Sequence, residues 1–205
     1  MSTSFEIYPT KKKTLNCNEI IRYSVQLFSE YLKENNISQG INIIAKEVTD
    51  NNEVYINPDF LVLEESYYTA FNLNEEGEVY VYYHELTELD KEFWDEEIKV
   101  NKNAQLMKEK IDANREIGYF WSVKRTMGQP PIVSLYYGYL AIAIAVLTDG
   151  IIYSWDGAWD YSILPIEGKV FKTEYLNIET INDVMEKDAV KQWLDMLRNR
   201  KLDSD

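Results

Sequence analysis

The feature that most constrains this chain is a run of sixteen uncharged residues, Ile132 to Leu147, with the sequence IVSLYYGYLAIAIAVL. Pro130-Pro131 precedes the run and Asp149-Gly150 follows it, and such residues commonly begin or end helices. A membrane-spanning helix needs about 20 apolar residues, whereas shorter runs are typical of helices in a protein core. We therefore predict a buried helix at 132–147 in the centre of the fold, and no membrane role.

Segments on both sides of this run have the alternation or the β-branched composition of strands. The predicted strands are Ser4–Tyr8, Ile41–Val48, Val54–Ile56, Tyr67–Leu73, Glu78–Glu85, Ile117–Val123, Ile151–Trp155 and Val170–Tyr175. The predicted helices are Glu19–Glu34, 88–97, 101–116 and a last one that Asn177 caps, with an apolar stripe of Val190, Trp193, Leu194 and Leu197. No repeat or linker divides residues 1–205. The chain is therefore predicted to be a single α+β domain, a mainly antiparallel sheet packed with helices.

Turn residues predict two hairpins. Asn74–Gly77 joins the fourth and fifth predicted strands, and a four-residue loop there would place Phe71 opposite Tyr80. Asp156-Gly157 is a typical two-residue type I′ turn, because both central positions of such a turn have positive φ. That turn would pair Ile151–Trp155 with Ala158–Ser162.

The segment Thr87-Glu88-Leu89-Asp90 resembles a capping box, in which the first and fourth residues bond each other's backbone at a helix N-terminus. A helix that starts here would turn Leu89 and Phe93 towards the core.

Negative charge is concentrated in the first half of the chain. Residues 1–100 carry 20 acidic and 8 basic side chains, whereas residues 101–205 carry 15 and 13, and the net charge is −14. Nucleic-acid binding depends on Lys and Arg against phosphates, so no nucleic-acid partner is expected. A negative field of this kind attracts a basic protein surface or a cation.

The charge is densest just before and within the predicted helix at 88–97. Its acidic residues are Glu85, Glu88, Asp90, Glu92, Asp95, Glu96 and Glu97, and Lys91 lies among them. One interpretation is a solvated helix face, which is the usual meaning of a charge run. The other is a partner-binding surface, to which Tyr80 and Tyr82 on the neighbouring strand would add aromatic contacts.

Several chemistries are incompatible with this composition. His84 is the single histidine and Cys17 the single cysteine, so a zinc site built from His and Cys or a CxxC redox site cannot form. No phosphate-binding glycine motif and no G-x-S-x-G sequence is present. We expect no metal and no cofactor, His84 as an ordinary sheet residue, and Cys17 as a small buried residue beside a helix cap.

An alternative site could use Asp149, Asp156 and Asp160 with Trp155 and Trp159. Two carboxylates on either side of a sugar ring can act as acid and base, and indoles stack on sugars. Asp-Gly pairs are equally typical of turns, however. The predicted turn at Asp156 would also place the two indoles on opposite faces of the hairpin.

These observations favour a non-enzymatic, acidic protein-binding module of the immunity or inhibitor type, which would neutralise a basic partner such as a toxin or nuclease. The alternative is a small enzyme or sugar binder that uses the aspartate and tryptophan residues. Residues 1–13 lack the apolar core of a signal peptide, and a single cysteine fits a reducing compartment, so we expect a cytoplasmic location.

Overall fold

The structure, a computed structural model, describes residues 3–49, 54–56 and 58–200. Its strands are β1 (Thr3–Tyr8), β2 (Ile43–Thr49), β3 (Val54–Ile56), β4 (Tyr67–Leu73), β5 (Gly77–Glu85), β6 (Tyr119–Arg125), β7 (Ile151–Tyr153) and β8 (Ile166–Glu167). Its α-helices are α1 (Cys17–Glu34), α2 (Glu88–Val100), α3 (Lys102–Leu106), α4 (Lys108–Ile117), α5 (Pro131–Leu147), α6 (Gly168–Glu174) and α7 (Val184–Asn199).

The described strands form one sheet in the order β3-β2-β4-β5-β6-β1-β7-β8. All neighbouring pairs are antiparallel. Strand β1 lies between β6 and β7, so the first strand is enclosed by segments more than a hundred residues later in the chain. The α+β class and the mainly antiparallel sheet are confirmed.

Helix α5 is the centre of the core. Every residue from Ile132 to Ala145 is buried, because the helix packs on β1 and β6 and is surrounded by α1, α6 and α7. Gly138 permits the closest of these contacts, since a Cβ there would lie 2.1 Å from the Tyr175 ring. The helix ends where Asp149 adopts a left-handed conformation (φ 54°). The predicted buried helix at 132–147 is confirmed, and no helix in the described ranges is long and apolar enough to cross a bilayer.

The two faces of the sheet have different coverings. On one face, the ring of Phe5 in β1 packs 5.0 Å from Tyr137 of α5. On the other face, Tyr8 of the same strand packs 5.0 Å from Trp94 of α2. Side chains alternate along a strand, so Phe5 and Tyr8 point to opposite sides. Helices α5 and α2 therefore lie on opposite faces, and the sheet separates them.

The hairpin between β4 and β5 forms, but its loop is one residue shorter than predicted. The loop is Asn74–Glu76, and Leu73 pairs with Gly77. Asn74 and Glu75 both have positive φ (52° and 59°), a conformation that Asn tolerates better than most residues. A slip of one residue moves every side chain of a strand to the other face.

This register changes which residues of the two strands share a face of the hairpin. Phe71 pairs with Val79 rather than with Tyr80, and Thr69 pairs with Val81. These four residues are buried in the core. The opposite face carries three partly exposed tyrosines, Tyr68, Tyr80 and Tyr82.

The predicted hairpin at Asp156-Gly157 is wrong. Strand β7 ends at Tyr153 and pairs with β1 and β8 instead of with Ala158–Ser162. Only Gly157 of the proposed turn has positive φ (73°), whereas a type I′ turn needs two such residues. The carboxylate of Asp156 accepts hydrogen bonds from the backbone N–H (3.0 Å) and the hydroxyl (3.1 Å) of Ser4, and these contacts hold the segment as a loop.

Three smaller predictions are also wrong. Residues 170–175 lie mostly in helix α6 instead of a strand, because Phe171 and Tyr175, four residues apart, both pack against Phe5. Asp183, rather than Asn177, caps the last helix. Leu89 points outward and is 75% exposed. The last helix does present its predicted stripe, in which Val190, Leu194 and Leu197 are buried and Trp193 packs against the core.

Candidate partner-binding surface

Helix α2 carries most of the acidic cluster, and its N-terminus is closed by the predicted capping box. The hydroxyl of Thr87 accepts a hydrogen bond from the backbone N–H of Asp90 (3.3 Å), and the Asp90 carboxylate accepts one from the Thr87 N–H (2.8 Å). Both bonds satisfy donors that the helix leaves unpaired. Asp90 therefore has a structural role.

Trp94 anchors α2 to the sheet and orients the acidic residues. Its side chain is buried against Tyr8 and Tyr153, with ring centroids 5.0 and 5.4 Å away. The residues on the other side of the helix consequently face outward. Those that are exposed are Glu88, Leu89, Glu92, Asp95, Glu96, Lys99 and Val100.

An apolar depression lies inside this acidic surface, and we call it the α2 groove. Its apolar lining is Leu89, Phe93 and Trp155, and the ring centroids of Phe93 and Trp155 are 3.8 Å apart. Glu92 and Asp95, with Asp90, Glu96 and Lys99, form its rim, and its volume is about 610 Å³. Leu89 is 75% exposed and Trp155 is 43% exposed. Such large apolar groups in water are typical of interaction surfaces when they are contiguous.

Three carboxylates of the cluster have cationic partners. Glu88 pairs with Lys91 and Glu96 with Lys99, both at 2.7 Å. Asp95 pairs with Arg115 of α4 at 2.6 Å, and this hydrogen bond and charge lower the pKa of Asp95. In the sequence Arg115 is twenty residues away, so the fold neutralises part of the charge that the cluster presents.

The other acidic residues of the cluster have no cationic partner as close as these within the described part of the chain. Glu97 accepts a hydrogen bond of 2.9 Å from the amide of Asn101. Glu85 and Glu92 are exposed and form no ion pair with any described residue. The cluster therefore remains net acidic, and Glu92 carries its free charge at the rim of the groove.

Tyr80 and Tyr82 do not border the α2 groove. They lie with Tyr68 on the open part of the same sheet face, where the ring centroids of Tyr68 and Tyr82 are 5.0 Å apart. The ammonium of Lys124 is 5.3 Å from the Tyr82 ring. The next residue of β5 on this face is His84, which stacks on Phe120 at 4.9 Å. These tyrosines form a separate surface, and the aromatic residues beside the acidic cluster are Phe93 and Trp155.

Burial shifts the pKa of both His84 and Cys17 towards the neutral form. Burial, with a smaller effect of Lys124, lowers the pKa of His84, and its Nε2 is buried without a hydrogen-bond partner among the described residues. Burial raises the pKa of the Cys17 thiol to about 12, so the reactive thiolate is disfavoured. Cys17 is part of the core, whereas His84 is a partly exposed residue of the sheet.

The three aspartates of the alternative site lie in different surroundings. Asp149 pairs with Lys110 (3.0 Å) and Lys11 (3.2 Å) at the start of β7. Asp156 binds Ser4 beyond the other end of that strand. The third, Asp160, accepts hydrogen bonds from the backbone of Ser162 and the amide of Asn182. The structure does not bring two of these carboxylates to one cleft.

The two tryptophans of the alternative site are also separated. Trp155 lies in the α2 groove. Trp159 is buried against Tyr175 of the segment after α6, with ring centroids 4.9 Å apart. Tyr175 contacts Phe5, which lies on the α5 face of the sheet. The two indoles therefore do not form one stacking platform for a sugar.

The sequence analysis did not identify Glu6, which holds the backbone of Trp155 at the α2 groove. Its carboxylate is 3% exposed, accepts a hydrogen bond from Ser4 (2.6 Å), and accepts another from the backbone N–H of Trp155 (3.1 Å). Burial, opposed by these hydrogen bonds and reinforced by Asp156, raises the pKa of Glu6 to about 7. The signal in the sequence is a lone acid inside the apolar strand SFEIY.

Among the described residues, no group of three or more His, Cys, Asp or Glu side chains is placed to hold a metal ion. Comparison with protein-family models, curated proteins and solved structures returned no match to this chain. The fold and the surface define its class: an α+β protein that exposes an apolar groove within an acidic helix surface.

Proposed function

We propose that this chain is a non-enzymatic protein-binding module of the immunity or inhibitor type, and that its α2 groove occupies a basic surface of another protein, such as a toxin or nuclease. The observation that carries the proposal is the exposure of Leu89 and Trp155, which line one depression with Phe93 among carboxylates. Interfaces commonly combine an apolar centre with a charged rim in this way.

The charge distribution supports a basic partner. The net charge is −14, and Glu92 at the groove rim has no ion pair among the described residues. Complementary charge speeds the encounter of two proteins and rejects partners of the same sign. The same field opposes nucleic acid, because phosphates would be repelled. A cytoplasmic site of action belongs to the proposal.

The tryptophan of the groove is held in position before any partner arrives. The ring of Trp155 packs against Phe93, its Nε1 donates to the Tyr8 hydroxyl at 3.2 Å, and its backbone N–H donates to Glu6. A side chain that is already ordered loses little conformational entropy on binding. Tryptophan is also among the residues that most often dominate binding energy. Trp155 is therefore proposed as the central contact.

The test compares matched apolar substitutions in a binding assay. Leu89→Ala and Trp155→Ala remove groove contacts, whereas Leu106→Ala removes an equally exposed leucine (77%) on helix α3, outside the groove. The wild-type chain should recover a basic protein from the source cells. The Leu106→Ala variant should still bind that protein, whereas Trp155→Ala should lose it. The purified partner should bind in a fixed stoichiometry and lose its own activity in the complex.

The proposal fails if Trp155→Ala and Leu106→Ala retain the partner equally well. It also fails if the recovered partner is acidic, or if it stays fully active when bound, because neutralisation would then be absent. Thermal unfolding of each variant shows whether the fold is intact, so that loss of structure is not mistaken for loss of contact.

A further inference from the structure

A second cavity lies on the opposite side of the sheet from the α2 groove. It is bordered by α5, α7, the end of β6 and the loop at 157–159, it is open to solvent on one side, and its volume is about 280 Å³. The residues that define its character are Arg125, Tyr137, Trp159, Tyr175, Glu186 and Trp193. This volume is just below the usual range for small-molecule sites, about 300–1,000 Å³, and therefore suits a small ligand.

Arg125 is the only basic residue among the described residues that line the cavity. The central carbon of its guanidinium is 4.9 Å from the ring centroid of Tyr137 and 5.4 Å from that of Trp193. Its Nε is buried without a hydrogen-bond partner, and the guanidinium forms no ion pair with a described carboxylate. Acidic side chains outnumber basic ones by 35 to 21 in this chain. Arg125 also forms a hydrogen bond with the Tyr137 side chain, but no described acid neutralises its positive charge, so the guanidinium can still attract an anion.

Glu186 provides a second unsatisfied polar atom in the same cavity. It lies in the first turn of α7, and its Oε2 is buried without a partner among the described residues. Burial, followed by the charges of Asp183 and Asp160, raises the pKa of Glu186 to about 7. Near neutral pH a large share of this carboxyl group is therefore protonated and able to donate a hydrogen bond.

The walls of the cavity are mostly ring surfaces whose polar atoms are already used. The Tyr175 hydroxyl donates to the carbonyl of Leu135 (3.2 Å), and the Tyr137 hydroxyl donates to that of Ala158 (3.4 Å). Trp159 is 6% exposed and packs against Tyr175. Such walls favour a ligand with a flat apolar ring. The polar groups of Arg125 and Glu186 determine which substituents that ring should carry.

We propose that this cavity binds a single-ring aromatic carboxylate that carries a hydroxyl group, with the carboxylate on Arg125 and the hydroxyl on Glu186. A carboxylate matches the guanidinium because it carries the opposite charge and its oxygens accept charge-assisted hydrogen bonds from guanidinium N–H groups. The ring would lie against Trp159 and Trp193. At roughly 30 Å³ for each water in the liquid, the volume corresponds to a molecule of about ten non-hydrogen atoms, as in a hydroxybenzoate.

The experiment titrates the full chain with 3-hydroxybenzoate and 4-hydroxybenzoate, and with the corresponding neutral amides. Calorimetry measures the affinity, and tryptophan fluorescence reports occupancy, because two indoles line the cavity. We expect at least one of the two acids to bind saturably and at least about tenfold more tightly than its amide, since the amide loses the charge-assisted bonds. This comparison uses the wild type and does not depend on any variant folding.

A pair of neighbouring residues gives a matched test of Arg125. Arg125→Gln removes the charge in the cavity, whereas Lys124→Gln removes the same charge from the next residue of β6, which faces Tyr82 on the other side of the sheet. Arg125→Gln should weaken the acid at least about tenfold, and Lys124→Gln should leave its affinity unchanged. Thermal unfolding confirms that both variants are folded.

The assignment is overturned if neither acid binds at low millimolar concentration, or if acid and amide bind equally. Equal weakening by Arg125→Gln and Lys124→Gln would also overturn it, because the effect would then come from net charge alone. Glu186→Leu should weaken the hydroxybenzoates more than it weakens benzoate, and an equal effect on both would contradict the role of Glu186.

Discussion

The indole Nε1 of Trp155 donates a hydrogen bond of 3.2 Å to the hydroxyl of Tyr8, which joins the loop after β7 to strand β1. Tyr8 is fully buried between Trp94 and Phe120. An exposed tryptophan is thereby attached to the rigid part of the core. This arrangement allows the α2 groove to keep its shape in the free protein, so that association requires little reordering.

The first prediction concerns the acidic surface. Replacing Glu92, Asp95 and Glu96 by Lys should slow association with the basic partner and weaken the dependence of the association rate on salt. Exposed charges act mainly on the encounter of two proteins, and salt screens them over about 8 Å at physiological ionic strength. The fold should survive, because the lost Asp95–Arg115 and Glu96–Lys99 pairs are at the surface, where ion pairs contribute little to stability. Stopped-flow or surface-based kinetics at several salt concentrations measure the effect.

A control with the same change of net charge separates local from overall electrostatics. Glu109, Glu179 and Asp188 are exposed and lie outside the groove. Their replacement by Lys should slow association less than the groove variant does. Equal association rates for the groove variant and the wild type at low salt would show that the cluster is only a solvated helix face.

The second prediction concerns Glu6 and pH. Burial raises the pKa of Glu6 from 4.5 to about 7 in the folded protein, so between these values the unfolded chain releases the proton and the folded chain retains it. The free energy of unfolding therefore falls as pH rises from about 4.5 to about 7, by on the order of 3 kcal/mol from this group. Glu6→Gln removes this contribution.

Denaturant titrations at pH 5 and pH 8 measure the effect. The free energy of unfolding of Glu6→Gln, measured relative to that of the wild type, should be higher at pH 8 than at pH 5. The amide can still accept from Trp155 and can donate to Ser4, whose hydroxyl then donates to Asp156, so the hydrogen-bond network has an alternative arrangement. If the two proteins show parallel stability profiles across this range, the carboxyl of Glu6 is not the titrating group.

The third prediction concerns the central helix. Ala143 is fully buried in α5, and Ala143→Asp would place an unpaired charge in the core, which exceeds what a marginally stable domain tolerates. We expect the variant to be unfolded by circular dichroism. Ala113→Asp, at a partly exposed position of α4, serves as the control and should remain folded. An unchanged melting temperature for Ala143→Asp would contradict the burial of this helix.

The fourth prediction concerns Gly157, which keeps a positive φ although the hairpin predicted around it does not form. Gly157→Val forces a β-branched residue into a left-handed conformation, which should destabilise the protein by about 1–3 kcal/mol. Gly40 lies in open space without a positive φ, so Gly40→Val should have a much smaller effect. Equal melting temperatures for the two variants would show that the loop relaxes freely.

Where short-range chemistry decides the outcome, the sequence was sufficient. The uncharged run bounded by Pro130-Pro131 and Asp149-Gly150 is the buried helix α5, and Thr87 and Asp90 form the predicted capping box. Each of these features depends on residues within one helix or one turn. The antiparallel α+β class follows from the same kind of local pattern.

Only the tertiary structure decided the registers and the sites. A loop one residue shorter than predicted put Tyr80 and Tyr82 on the open face, because a strand's side chains change face with every residue. The α2 groove joins Leu89 to Trp155 across more than sixty residues of sequence, and the second cavity joins Arg125 to Glu186 over a similar distance. These juxtapositions depend on the packing of distant elements around α5, and no local pattern in a single sequence encodes that packing.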